Sequence, residues 1–127
     1  MKRALKLKDL VVQLENIGYI KEEIVELEDN VKQTLYIINY RKKASIKELV
    51  LNIDFRHMSK EPSVFFREYN FFKLKNYWIN PNNIAFVAET KHENSKLIDL
   101  FFSFKDGLQI ALELEKGRWE AWKSTRL

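Results

Sequence analysis

The densest run of chemistry-bearing side chains is Phe65-Phe66-Arg67-Glu68-Tyr69-Asn70-Phe71-Phe72-Lys73-Leu74-Lys75-Asn76-Tyr77-Trp78, where aromatic rings are interleaved with cations. Bases stack on exposed rings for about 1–3 kcal/mol each while Lys and Arg neutralise phosphates, so such a run suits single-stranded nucleic acid without a strict motif. The competing explanation is structural: the rings fill a core, and Lys73 and Lys75 mark the solvent side of a strand. Nine Phe, five Tyr and three Trp crowd so short a chain that some rings are expected to stay partly exposed.

A second basic cluster, Tyr40-Arg41-Lys42-Lys43 with Lys47 nearby, sits where a strand should end and a turn could present it to a phosphate backbone. Together, Arg41, Lys42, Lys43, Arg67, Tyr69, Lys73, Lys75 and Trp78 form the candidate nucleic-acid surface, with RNA or single-stranded DNA favoured over duplex. That surface requires positions 41–43 and 67–75 on one face. The opposite signal is Glu22-Glu23-Ile24-Val25-Glu26-Leu27-Glu28-Asp29, an acidic run that repels nucleic acid and suits either a solvated strand edge or a basic protein partner.

Little in the chain supports catalysis, and the sequence reads as non-enzymatic with no cofactor. Zero Cys rules out disulfides, thiolate metal sites and cysteine nucleophiles. His57 and His92 have no second ligand at metal-like spacing, and three glycines supply no phosphate-cradling loop. Glu113 and Glu115 share one strand face, where water exposure explains them better than a glycosidase pair. Trp119 and Trp122 share one face of a short C-terminal helix that should dock on a sheet, being too short to stand alone.

These residues need elements to hold them. Leu7, Leu10, Val11, Leu14 and Ile17 line one helical face, predicting an amphipathic helix over 5–17 that Gly18 ends. Strands are expected over 19–28, 34–40 and 49–56, with Asp29-Asn30 turning the first pair. A second meander is expected over 84–88, 98–104 and 108–115, its Asp106-Gly107 read as a type I′ turn. The segment 61–78 is ambiguous, with Pro62 suited to start a helix, and is read as extended.

The length of 127 residues fits one domain, 1–127, without a Gly/Ser- or Pro-rich linker. The expected fold class is α+β: antiparallel β-meanders forming a curved sheet or open barrel, with the N-terminal amphipathic helix packed on it. No run approaches the roughly 20 apolar residues of a membrane span, and the basic N-terminus lacks a continuous apolar region after it. A cytoplasmic protein without a membrane partner is therefore expected. Abundant Lys, Asn and Ile resemble coding from AT-rich DNA, as in low-GC bacteria and their mobile elements. The formal charge of +4 tilts towards acidic partners. Two other readings stand beside the nucleic-acid module: a protein-binding adaptor or inhibitor of the kind mobile elements carry, using the acidic run or exposed aromatics, and a homo-oligomer packing its surplus aromatics across an interface.

Overall fold

Antiparallel strands dominate, and they begin where a helix is expected. The computed structural model describes residues 3–7, 10–53, 55 and 60–127, the side chains of 41 and 42 excepted. Ala4–Leu7 (β1) and Leu10–Gln13 (β2) form an antiparallel hairpin with Leu5 opposite Val12, followed by a 3-10 turn over Leu14–Asn16. The N-terminal helix is thus corrected to a hairpin. Leu5, Leu7, Val12 and Leu14 all pack inward, but Val11, which the helical face would bury, is 61% exposed. Short apolar runs satisfy both periods, and the surface they must cover decides between them.

Gly18 ends no helix. A Cβ there would stand 2.7 Å from the Phe104 ring, so the missing side chain lets two layers approach. From this point Tyr19–Glu26 (β3), Lys32–Lys42 (β4) and Ser45–Leu51 (β5) run as the expected meander. The turn between β3 and β4 holds Asp29 and Asn30 at positive φ, a conformation their short polar side chains tolerate. The third strand, expected over 49–56, is corrected: it starts earlier and ends at Leu51; Asn52 and Ile53 lie outside it and Phe55 in a turn, while Asp54, Arg56 and His57 lie outside the described residues.

The segment 61–78, read as extended, divides into helix and hairpin. Pro62 opens α1 (Pro62–Glu68), its fixed φ and absent N–H suiting the first turn, and Asn70 at φ 66 leaves it. Phe72–Leu74 (β6) and Tyr77–Ile79 (β7) follow, and β7 pairs with the free edge of β3. The resulting five-stranded sheet has the order β5-β4-β3-β7-β6.

A separate sheet, ordered β10-β9-β8, holds Ile84–Lys91 (β8), Leu97–Phe104 (β9) and Gln109–Glu115 (β10). Only Gly107 of the Asp106-Gly107 pair has positive φ, so its loop is not the type I′ turn expected. Gly107 N donates to Phe104 O at 2.9 Å, and Asp106 Oδ1 accepts from Leu108 N at 2.9 Å. Lys116–Arg126 (α2) then docks through Trp119 and Trp122, which stack at 5.4 Å and meet Phe102 edge-on. Glu89 Oε1 on β8 accepts from Trp119 Nε1 at 2.7 Å and from Lys123 Nζ at 3.1 Å, and these bonds hold its carboxyl below the ordinary range.

The class expected from sequence is corrected accordingly: the described residues form three open antiparallel sheets with two helices, mainly β, and close no barrel. The five-stranded sheet carries a core on each face. Ile20 points into one, with Leu5, Phe66, Phe71 and Trp78; its neighbour Tyr19 points into the other, with Ile79, Phe102 and Phe104. No helix of the described residues is long and apolar enough to cross a membrane.

Candidate functional site

The aromatic run folds inward. Phe65, Phe66, Tyr69, Phe71 and Trp78 are all buried, Trp78 stacked on Phe66 at 4.7 Å and Tyr69 against Phe65 at 5.3 Å. Of the proposed stacking platform, Tyr69 and Trp78 therefore present no free ring face, and Tyr77 is half-buried against Tyr19. Packing wins because each ring removes on the order of 150–250 Å² from water, and a small protein fills its core with such groups first.

Lys73 and Trp78, opposite each other on β6 and β7, converge on Glu22. Lys73 Nζ donates to Glu22 Oε2 at 2.8 Å, Trp78 Nε1 donates to Oε1 at 3.3 Å, and Lys73 Nζ lies 5.6 Å from the Trp78 ring. Burial pushes the Glu22 carboxyl up, but the bonds from Lys73 and Trp78, the Lys73 charge and the Tyr36 hydroxyl outweigh it and hold the group below the ordinary range. Burial, then the Glu22 charge, pushes the Tyr36 phenol well above its usual value. Lys73 is thus an internal partner as much as a surface cation.

Lys43, Arg67 and Lys75 are exposed, on three different elements. Lys43 occupies the β4–β5 turn at φ 57 and Lys75 the β6–β7 turn at φ 53, each lifted into solvent by a left-handed backbone. Register separates them: Ile38 is opposite Ile20, and Tyr77 opposite Lys21. Extending these pairings puts Lys43 level with residue 15 and Lys75 level with residue 23, so the turns lie ~26 Å apart along the strands. The backbone of Arg41 and Lys42 belongs to the Lys43 end. The two turn lysines, Lys43 and Lys75, therefore do not share one patch.

The acidic run over 22–29, expected as a solvated strand edge or a contact to a basic protein, lies at the far end of the β3–β4 hairpin. Strand β7 pairs with β3 only at Tyr19–Lys21, and β5 pairs with β4 only from Tyr36 onward. Residues 23–35 are therefore a two-stranded ribbon that outruns its neighbours among the described residues. Ile24 is 66%, Leu27 50% and Val31 53% exposed. Around them stand Glu23, Glu26, Glu28 and Asp29, all exposed, against one cation, Lys32. This ribbon carries −3 in a chain of +4. The acidic run was visible in sequence, but the aliphatics within it look like ordinary core positions until the strand lengths are known.

No protein-family model, curated protein or solved structure matches the chain. The surface must therefore be read on its own chemistry. Among the described residues no group of three His, Asp or Glu side chains is arranged to hold a metal ion. His92 Nε2 lies 2.6 Å from Asp99 Oδ2 in an exposed pair on the second sheet. Asn80 and Asn83 spend their amide groups on the backbone carbonyls of Leu14 and Ile17, tying the 3-10 turn to the end of β7.

Proposed function

We propose that this chain is a non-catalytic protein-binding module, an adaptor or inhibitor, whose β3–β4 ribbon engages a basic and partly apolar protein surface. The observation that carries this reading is the ribbon itself: three aliphatic side chains at least half exposed, set among four exposed carboxylates, on a hairpin that reaches past the rest of its sheet. Exposed aliphatics cost solubility: Leu27 and Val31, bonded backbone to backbone at the ribbon's tip, stand together within a charged surround, the anatomy of a recognition patch, while strand alternation puts Ile24 on the ribbon's other face. The carboxylates would steer a cationic partner and set register, while Leu27 and Val31 would supply the area removed from water.

A displayed random-peptide library panned against the folded protein tests this. Enriched peptides should combine Lys or Arg with large apolar residues and lose binding to Leu27→Lys and to Glu26→Lys. Enrichment insensitive to both changes would sink the reading. A nucleic-acid module remains the second proposal, and its support is the outward presentation of Lys43 and Lys75 on turn apices and of Arg67 at the end of α1.

A further inference from the structure

We propose that the outer face of the β8–β9–β10 sheet is a two-fold interface joining two copies of this chain. Its inner face is consumed by the core, through Phe102, Leu100, Ile110 and Leu112. The alternate residues face away and are not uniformly polar, as the free face of an antiparallel sheet normally is. Phe86 is 54% and Phe101 37% exposed, their rings 6.5 Å apart. Ala88 and Ala111 lie directly opposite Phe101 on the two flanking strands. A ring standing between two alanines is a ridge with a shallow trough on either side, a shape that accepts another ridge of its own kind.

Charge selects a second copy as the occupant and fixes its orientation. One end of this face is acidic: Glu113 lies opposite Asp99, and Glu115 opposite Leu97. At the other end Lys105, four residues beyond Phe101 and in phase with it, stands exposed beside the loop. Asp99 is met within the chain by His92. A two-fold axis running along the strands would set acid against acid. An axis across the strands at Phe101 reverses the levels instead, bringing Lys105 of each copy over the Glu115 end of the other while the two Phe101 rings meet at the centre. One face thus holds both halves of a complementary pair, as an isologous interface requires.

Sedimentation equilibrium of the full chain, from about 10 µM to about 500 µM, reads the outcome directly. The expected result is a reversible dimer, weakened at least about tenfold by Phe101→Glu. Lys105→Glu should weaken it as well, and combining Lys105→Glu with Glu115→Lys should restore it, since only the reversed orientation joins those two ends. Ala111→Lys, on an exposed position of an edge strand, gives an independent disruption should Phe101→Glu lose its circular dichroism. A wild-type chain monomeric at the highest concentration overturns the proposal. So does a dimer indifferent to Phe101→Glu and Ala111→Lys, or one abolished by Leu27→Lys in the ribbon.

Discussion

Glu22 shows how one residue converts a proposed ligand surface into internal structure. Its carboxylate takes the charge of Lys73 and the indole N–H of Trp78, and its pKa is lowered in the fold. A group whose folded pKa lies below its unfolded value contributes stability above the unfolded pKa, and that contribution is lost as pH falls through the folded one. Thermal unfolding between neutral pH and pH 2 should therefore show an acid-side loss that Glu22→Gln flattens, at a cost of about 1–3 kcal/mol at neutral pH. An unchanged acid limb in that variant would deny the network its role. Gly18 makes a steric case of the same kind. In Gly18→Ala the new Cβ would press on Phe104 at 2.7 Å, and overpacking of this sort costs about 1–3 kcal/mol in urea unfolding. Combined with Phe104→Ala, Gly18→Ala should cost less than the sum of the two single changes, because that truncation removes the Cγ and Cδ1 atoms the new Cβ would press on.

Among the elements, those with one dominant period were legible in sequence and those at the mercy of their neighbours were not. The alternation of Leu108, Ile110, Leu112 and Leu114 belongs to a strand whose faces differ, and β10 follows it. Leu7, Leu10 and Leu14 fit the helical and the strand period alike, and the surface under the N-terminal hairpin chose the one that leaves Val11 exposed. Likewise Pro62 marked the start of α1, but aromatic density hid it. The candidate site was less readable still: residue types announced rings and cations, while burial of Tyr69 and Trp78 and the distance between Lys43 and Lys75 depend on register. The β3–β4 ribbon follows from strand lengths, which no residue type encodes. Having no neighbouring strand beyond Lys21 and before Tyr36, it should open at lower free energy than the rest of β3 and β4. Hydrogen exchange followed by NMR should find the amides of 23–34 exchanging at least about tenfold faster than those of Ile20 and Ile38. Equal protection along both strands would mean that the ribbon is not the exposed finger its pairings describe.

At the scale of the whole molecule, charge and shape divide the candidate partners. With −3 on the ribbon, the remainder of the chain carries +7, yet of the residues proposed for nucleic acid the exposed Lys43, Arg67 and Lys75 sit on separate elements, and the rings proposed beside them, Tyr69 and Trp78, are inside. A phosphate chain can meet such cations only a few at a time, without stacking, so its binding should rest on counterion release alone. Anisotropy titrations with single-stranded RNA, single-stranded DNA and duplex should then give weak, sequence-indifferent binding with a shallow logarithmic salt slope of about −1 to −3, gone by roughly 0.2 M salt. Lys43→Glu and Lys75→Glu should each remove about one unit of slope and act additively, since ~26 Å exceeds the Debye length of about 10 Å at 0.1 M. Tight binding to a single strand that survives at high salt would require stacking surfaces the buried rings do not offer, and would return the nucleic-acid reading to first place. Weak binding of the form described leaves the acidic ribbon as the more selective surface, because there exposed apolar area and a four-to-one excess of carboxylates over cations occur together.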